Sequence, residues 1–449
     1  MQTGDERWPN GRNPGRAVKV SERQVFMRLI VVNDVSEALG GATKVALQCV
    51  EAGVAAGLDC AVLVGDDGAG IRSRFPGVQV EALGERPLRD GVHFTNLFDR
   101  NFNVRAYRAL RRLLKTGNDT VVHVHGWSQI LSPSIFHALA RSEAQIIVTA
   151  HDFFLTCPNG AYVHYGRGDI CAEKPLSAGC LASACDKRNY PHKLWRFARS
   201  MTQSAAGAAF WARVGVILAH EGMESYLSEG PLRNFLTLRT PSTPLTQSPV
   251  EAWKNERAMF LGRMSVEKGV RTLAEALNAT GKAATLIGRG PLLQEIQRTL
   301  PHCHVPGWLD DDEVAAVASR ARYFFMPSRM PEPYGLVAAE ALMSGIPVIA
   351  SSNALIATEI EEHQAGLVFE SGNARSLAET MALMESDGLV RHLSRGAFAY
   401  GKKVAPSRDE WRQRIIDIYS GRLEFVTHDK LKELIGRPAR QEFEMAGRI

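Results

Sequence analysis

Short runs of β-branched and apolar residues, each closed by a turn and followed by a helical stretch, recur in two series along this chain. They restrict it to a parallel α/β fold. Residues 28–33 (Arg-Leu-Ile-Val-Val-Asn), 60–64, 121–125, 145–150 and 214–219 make the first series, and 258–261, 284–287, 323–326 and 347–350 the second. Such runs are apolar without alternation, as strands covered by helices on both faces require. At 449 residues the chain exceeds one ordinary core, and two domains of about 150 to 200 residues each are expected. The junction falls in the polar, proline-containing stretch 240–255. The divisions predicted are a first Rossmann-like domain over 27–245, a linker over 246–257 and a second Rossmann-like domain over 258–395.

The flanks and the composition exclude several classes. Residues 1–26 are rich in Gly, Pro, Arg and Asn without an apolar stretch and read as a disordered extension rather than a signal peptide. Residues 426–449 read as a charged tail. A net charge of +5 with no long Lys/Arg block argues against a nucleic-acid partner. No apolar run reaches the ~20 residues of a spanning helix. Seven cysteines, an odd number, without a secretory signal point to a reducing compartment, with the cytoplasm as the expectation. Arg100, Arg105, Arg108, Arg111, Arg112 and Lys115 alternate with apolar residues. They suit a solvated helix with one buried stripe, or a peripheral contact with an anionic membrane face.

Chemistry concentrates in the second series. Glu332 and Glu340 stand eight residues apart, with Gly335 and the start of an apolar helix between them. A loop glutamate and a helical glutamate at this spacing are separated by roughly 10 Å, about the length of a nucleotide sugar. The helix start between them would offer free N–H groups to a diphosphate. Upstream, Arg263 and Lys268 bracket a turn after a strand, where two fixed cations can stabilise charge growing on departing phosphates without a metal.

This order of residues resembles the E-x7-E signature of retaining glycosyltransferases of family 4. The segments 260–269, 286–291 and 340–350 are similar to that family's cation clamp, strand-turn and helix-turn-strand patterns. The resemblance implies a GT-B fold, two Rossmann-like domains whose parallel sheets face across a crevice. It implies a final helix over 396–425 that crosses back to the first domain. By the same resemblance Arg263 and Lys268 hold the donor diphosphate, Glu340 accepts hydrogen bonds from ribose hydroxyls, and Glu332 meets the transferred sugar. The amides of Tyr334, Gly335, Leu336 and Val337 meet diphosphate and sugar, and the loop at Leu309 meets the nucleobase. Gly40 and Gly41 form the glycine loop, and His151, at a strand's C-terminal end, contacts the donor sugar. Tyr334 stands where Phe is more frequent, and residues 351–359 lack the glycines often found there.

Other features have plainer readings. Asp152 suits a turn cap better than a base. His123 and His125 share a strand face, which packing explains as well as catalysis does. Asp310, Asp311 and Asp312 precede Glu313 and a helix, so capping explains them better than metal binding. Cys157, Cys171, Cys180 and Cys185 lie in an insertion over 155–190; four thiolates in one loop could hold a structural zinc, and reduced thiols or a disulfide are the other readings. The expected function is transfer of a sugar from a nucleoside diphosphate donor to a glycan or lipid-linked hydroxyl acceptor, with no cofactor required. A non-catalytic GT-B protein that binds a nucleotide sugar or a partner enzyme, and a GT-B nucleotide-sugar epimerase, are the alternatives.

Overall fold

A computed structural model describes residues 27–37, 40–86, 101–115, 119–428 and 430. The predicted extension at 1–26, Arg100 and most of the predicted tail lie outside the described residues. The first half contributes β1 (Arg28–Asn33), β2 (Asp59–Val64), β3 (Gln79–Ala82), β4 (Thr120–Val124) and β5 (Gln145–Ala150). After β5 comes an excursion holding the hairpin β6 (Val163–His164) and β7 (Asp169–Ile170), and the sheet resumes with β8 (Gly215–Leu218) and β9 (Asn234–Thr237). The second half contributes β10 (Arg257–Leu261), β11 (Ala284–Ile287), β12 (His304–Gly307), β13 (Ala321–Met326), β14 (Val348–Ser351) and β15 (Gly366–Phe369), and β16 (Val426–Thr427) follows near the chain's end.

Among the described residues these strands form two large sheets, β16-β9-β8-β5-β4-β1-β2-β3 and β12-β11-β10-β13-β14-β15. All neighbours pair in parallel except β16 on β9. Leu29, Ile30, Val32, Val122, Val124, Ile147 and Val148 have no exposed surface. That double-sided burial is why the runs do not alternate; each such side chain contributes about 1.5–3 kcal/mol of apolar transfer. In each sheet the strand order reverses beside the first strand of its series, between β1 and β4 and between β10 and β13. Open α/β sheets bind ligands in the crevice at the strand ends beside such a reversal.

The structure moves three predicted boundaries. Helix Asp387–Val404 runs through residue 395, so the return element is the next helix, Arg408–Tyr419, which starts with a Ser407–Glu410 capping box. Its Trp411, Ile415, Ile416, Ile418 and Tyr419 enter the same core cluster as Leu29, Val31, Val45 and Cys49 of the first domain. Residues 426–427 extend the first sheet instead of opening a free tail. The excursion after β5 extends past 190, since helix Tyr190–Ser204 belongs to it.

The basic stretch forms helix Val104–Leu113, burying Ala106, Ala109, Leu110 and Leu113. Arg105 and Arg112 pair with Glu85 and Glu81, so this is the solvated helix with one buried stripe. Among the described residues no helix is long and apolar enough to cross a membrane. A buried polar knot joins the halves. Glu359, from the second, accepts from His220 Nε2 and Arg239 at 2.6 Å each and from the Tyr400 hydroxyl. Burial alone would raise its carboxyl, but these hydrogen bonds hold it well below the usual carboxylate range.

Candidate active site

The second-domain wall of the crevice is built where two loops press together. Gly269, at φ 69°, sits so close to the loop after β13 that a Cβ there would lie 1.7 Å from the Pro327 carbonyl; only glycine fits. The Arg329 amide also donates to the Glu267 carbonyl at 2.9 Å. This packing brings Lys268 to the carboxylate of Glu332, whose other oxygen accepts from Ser328 Oγ at 2.8 Å. Lys268 and Glu332, expected to meet diphosphate and sugar respectively, therefore stand in one ion pair, with Glu332 only 9% exposed. Gly335, at φ 69°, starts helix Leu336–Met343. One turn along it, burial pushes Glu340 up to about 7, with Lys44 of the first domain opposing the shift and Asp311 adding to it.

The first-domain wall is different in kind. Gly41 opens helix Gly41–Ala55, and a Cβ on it would come within 2.9 Å of Leu336 Cδ1, so the glycine permits the two domains to meet. Gly40 is extended, with open space around it. His151, just past β5, has its Nε2 3.1 Å from His125 Nδ1, so one of the two rings donates to the other. Burial lowers His151 to about 4 and holds His125 well below the ordinary value, with His123 and His151 adding to the latter; both are neutral near pH 7. His123 bonds Tyr419 Oη at 2.8 Å and Thr149 Oγ1 at 2.7 Å and is a satisfied core histidine. Asp152 caps the next turn by accepting from the Phe154 amide at 3.0 Å, and burial with nearby Asp34 pushes it up to about 6. Asp34 itself accepts from the amides of Gln129, Ile130 and Leu131 at 2.7 to 2.9 Å, fixing the loop after β4.

Between these walls lies a cleft of about 410 Å³ that brings together Gly41, His151, Asp152, Arg263, Lys268, Glu332 and residues 334–337. Two family models match the chain: glycosyl transferases group 1 over residues 255–387, and a glycosyl transferase 4-like domain over 40–228. The chain belongs to the group 1 glycosyltransferases. An uncharacterized glycosyltransferase of Methanocaldococcus jannaschii is 28% identical over 153 residues, covering 33% of this chain and 43% of that one. The D-inositol 3-phosphate glycosyltransferase of Xylanimonas cellulosilytica is 25% identical over 326 residues, covering 67% and 71%. Among solved structures, sucrose-phosphate synthase from Thermosynechococcus elongatus superposes with a TM-score of 0.64 at 17% identity, covering 88% of this chain and 98% of that one. Anabaena HepE, solved with UDP, gives 0.60 at 15% identity over 88% and 100%. The fold is GT-B.

Within this group 1 glycosyltransferase the remaining predicted residues sort as follows. Tyr334 is 3% exposed and donates its hydroxyl to the Val404 carbonyl at 2.7 Å, which accounts for Tyr where Phe is more frequent. Gly40, Glu340 and half-buried Leu309 lie outside the lining of the cleft. Leu309 follows Trp308, which is 67% exposed, and precedes the Asp310–Glu313 capping box. Through Asp311 that helix start approaches Glu340. The glycine-free stretch buttresses the acidic loop, since Asn353 Nδ2 donates to the Arg329 carbonyl at 2.9 Å and the Leu355 amide to that of Glu332 at 3.3 Å.

Cys157, Cys171, Cys180 and Cys185 are buried and free of disulfides. Among the described residues, the groups of three or more potential ligands within 4.8 Å of one another are Cys49–His123–His125 and His220–Glu221–Glu359. The four cysteines form no such group, and the buried Lys193 ammonium stands 3.2 Å from Cys180 Sγ.

Sequence reasoning left His125 open between packing and catalysis, and it missed Asp34. The usable signals were a histidine and an aspartate at the C-terminal ends of β4 and β1, where this sheet class places ligands.

Proposed function

We propose that the protein transfers a sugar from a nucleoside diphosphate sugar to a hydroxyl acceptor with retention at the anomeric carbon. The acceptor class is a glycan or lipid-linked glycan, in polysaccharide or glycolipid assembly at the cytoplasmic face of a membrane. The observation that carries the reading is the Lys268–Glu332–Ser328 contact standing beside Arg263, opposite His151 across one cleft. Arg263 and Lys268 supply positive charge where the diphosphate would leave, so no metal is required for that step. The first-turn amides of helix Leu336–Met343 add a dipole of the same sign. Glu332, already hydrogen-bonded, offers fixed acceptor oxygens to sugar hydroxyls. The leaving phosphate would take the acceptor's proton on the face it departs from, and the buried walls would limit donor loss to water.

A thermal-shift screen against UDP, GDP, ADP and their sugars tests this, since a ligand that binds only the native state raises its melting temperature. The expected result is a rise with one nucleotide that Glu340→Ala and Lys268→Ala both weaken. No rise with any nucleotide, in a protein that melts cooperatively, would overturn the reading. Affinity without turnover would indicate a binding protein, and conversion of donor without an acceptor an epimerase.

A further inference from the structure

Next to the donor cleft lies a larger cavity of about 1110 Å³, between the excursion after β5 and the loops after β10 and β11; Asp152 and Arg263 line both spaces. Its walls carry six Lys or Arg side chains against the two carboxylates of Asp152 and Glu267. Three of the cations have structural duties. Arg196 pairs with buried Asp186 at 3.0 Å, Arg271 with Glu295 at 2.7 Å, and Arg199 donates to the carbonyls of Ser128 and Trp127 at 2.6 and 2.8 Å. Among the described residues, Lys187, Arg188 and Arg263 have no ion-pair partner. Arg263 belongs to the donor side, which leaves Lys187 and Arg188.

Those two are held in place by the chain around them. Asp186, itself anchored by Arg196, accepts from the Arg188 amide at 2.9 Å, and Asn189 caps helix Tyr190–Ser204 by accepting from the His192 amide at 3.0 Å. The four-residue corner is thus tied at both ends, and it presents two exposed cations to a cavity also lined by Trp195 and Phe154. Partial burial, with Arg196, Arg263 and Arg188 nearby, holds the Lys187 ammonium below the usual lysine range, although Glu267 opposes this. An anion would relieve that crowding of like charge. Two adjacent cations with an aromatic wall suit a phosphoryl group attached to a sugar or an apolar chain.

We propose that this cavity is the acceptor site, and that the acceptor is a phosphate or diphosphate ester whose phosphoryl group is held by Lys187 and Arg188. Its remainder lies against Trp195 and Phe154, and its reactive hydroxyl reaches the edge at Asp152 and Arg263 shared with the donor cleft. This assignment rests on the transferase reading for its direction of reaction, but its binding test does not.

The test is calorimetric titration of the full chain, with nucleoside diphosphate saturating the donor cleft, against a ten-carbon prenyl diphosphate, the corresponding free alcohol and a soluble hexose phosphate. Binding of at least one phosphorylated probe, absence of binding by the alcohol, and a loss of about tenfold or more in Lys187→Ala/Arg188→Ala are expected. Preference for the prenyl compound assigns a lipid-linked source, and preference for the hexose phosphate a soluble one. Equal binding of the alcohol, no binding of either phosphorylated probe, or no effect of the double substitution overturns the proposal. The nucleotide thermal shift, read in parallel, stays unchanged in the double variant. If the wild type shows no nucleotide shift while phosphoryl binding is still lost on substitution, the donor reading fails and this site stands.

Discussion

The two walls of the crevice obtain their properties by opposite means. The second-domain wall is made of opposed charges in contact: Lys268 on Glu332, with Ser328 on the second carboxylate oxygen and Arg263 close by. The first-domain wall is made of groups that burial keeps uncharged or raises toward neutrality: His151, His125 and Asp152. A wall of paired charges can meet a diphosphate without first shedding water from bare ions. A wall of neutral rings can touch a sugar without attracting the diphosphate. The difference teaches that polarity across such a cleft is set as much by burial as by residue type.

The largest expected effect tests the charged wall. On the proposed mechanism Lys268→Ala removes a cation from the leaving diphosphate, and it leaves Glu332 buried with only Ser328. kcat/KM for transfer should fall by about 10²- to 10³-fold, whereas His125→Ala on the neutral wall should cost about tenfold. Equal losses in the two variants would break the comparison.

The next effect is a pH dependence that belongs to the boundary between the walls. Glu340 must be a carboxylate to accept two ribose hydroxyls, and its carboxyl stands at about 7. Nucleotide affinity should therefore strengthen as pH rises through 7 and level off above about 8, weakening about tenfold for each unit below the midpoint. Titrations between pH 6 and 8 show this in the wild type, and Glu340→Gln should flatten the profile; a flat wild-type profile would remove Glu340 from the ribose site.

The smallest effect separates support from contact. Tyr334→Phe removes the hydroxyl bond to Val404 and should lower stability by about 1 kcal/mol in denaturant unfolding, while the nucleotide affinity is unchanged. A changed affinity would show that the Tyr334 hydroxyl does more than hold the Val404 carbonyl.

How much of this was legible in the chain follows the same division. Arg263, Lys268, Glu332 and Gly335 lie in two short segments whose chemistry is local, so the sequence singled them out before the fold brought them to one cleft. The strands named from the sequence were legible because double-sided burial leaves uninterrupted apolar runs. Strands β3, β9, β12 and β15 were not, since each is four residues long with at most two of them buried. The pairing of His125 with His151 depends on adjacency of β4 and β5 across 26 residues, and no spacing rule encodes it. Burial as a cause of the Glu340 and Asp152 shifts is likewise a property of packing. The cation corner at Lys187 and Arg188 carries no signal of its own in the sequence; the fold of the excursion brings it to the same cavity as Arg263.

The helix Arg408–Tyr419 and the strand β16 also decide the order in which the molecule can be finished during synthesis. The second sheet is complete once residue 369 has been made, but the first core still lacks Trp411, Ile415, Ile416 and the Tyr419 hydroxyl that satisfies His123. Domains usually mature from the N-terminus as the ribosome releases them. Here the half that emerges first is the last to close, and a nascent chain that stops at Val404 carries a finished second sheet attached to a first domain with an open apolar groove.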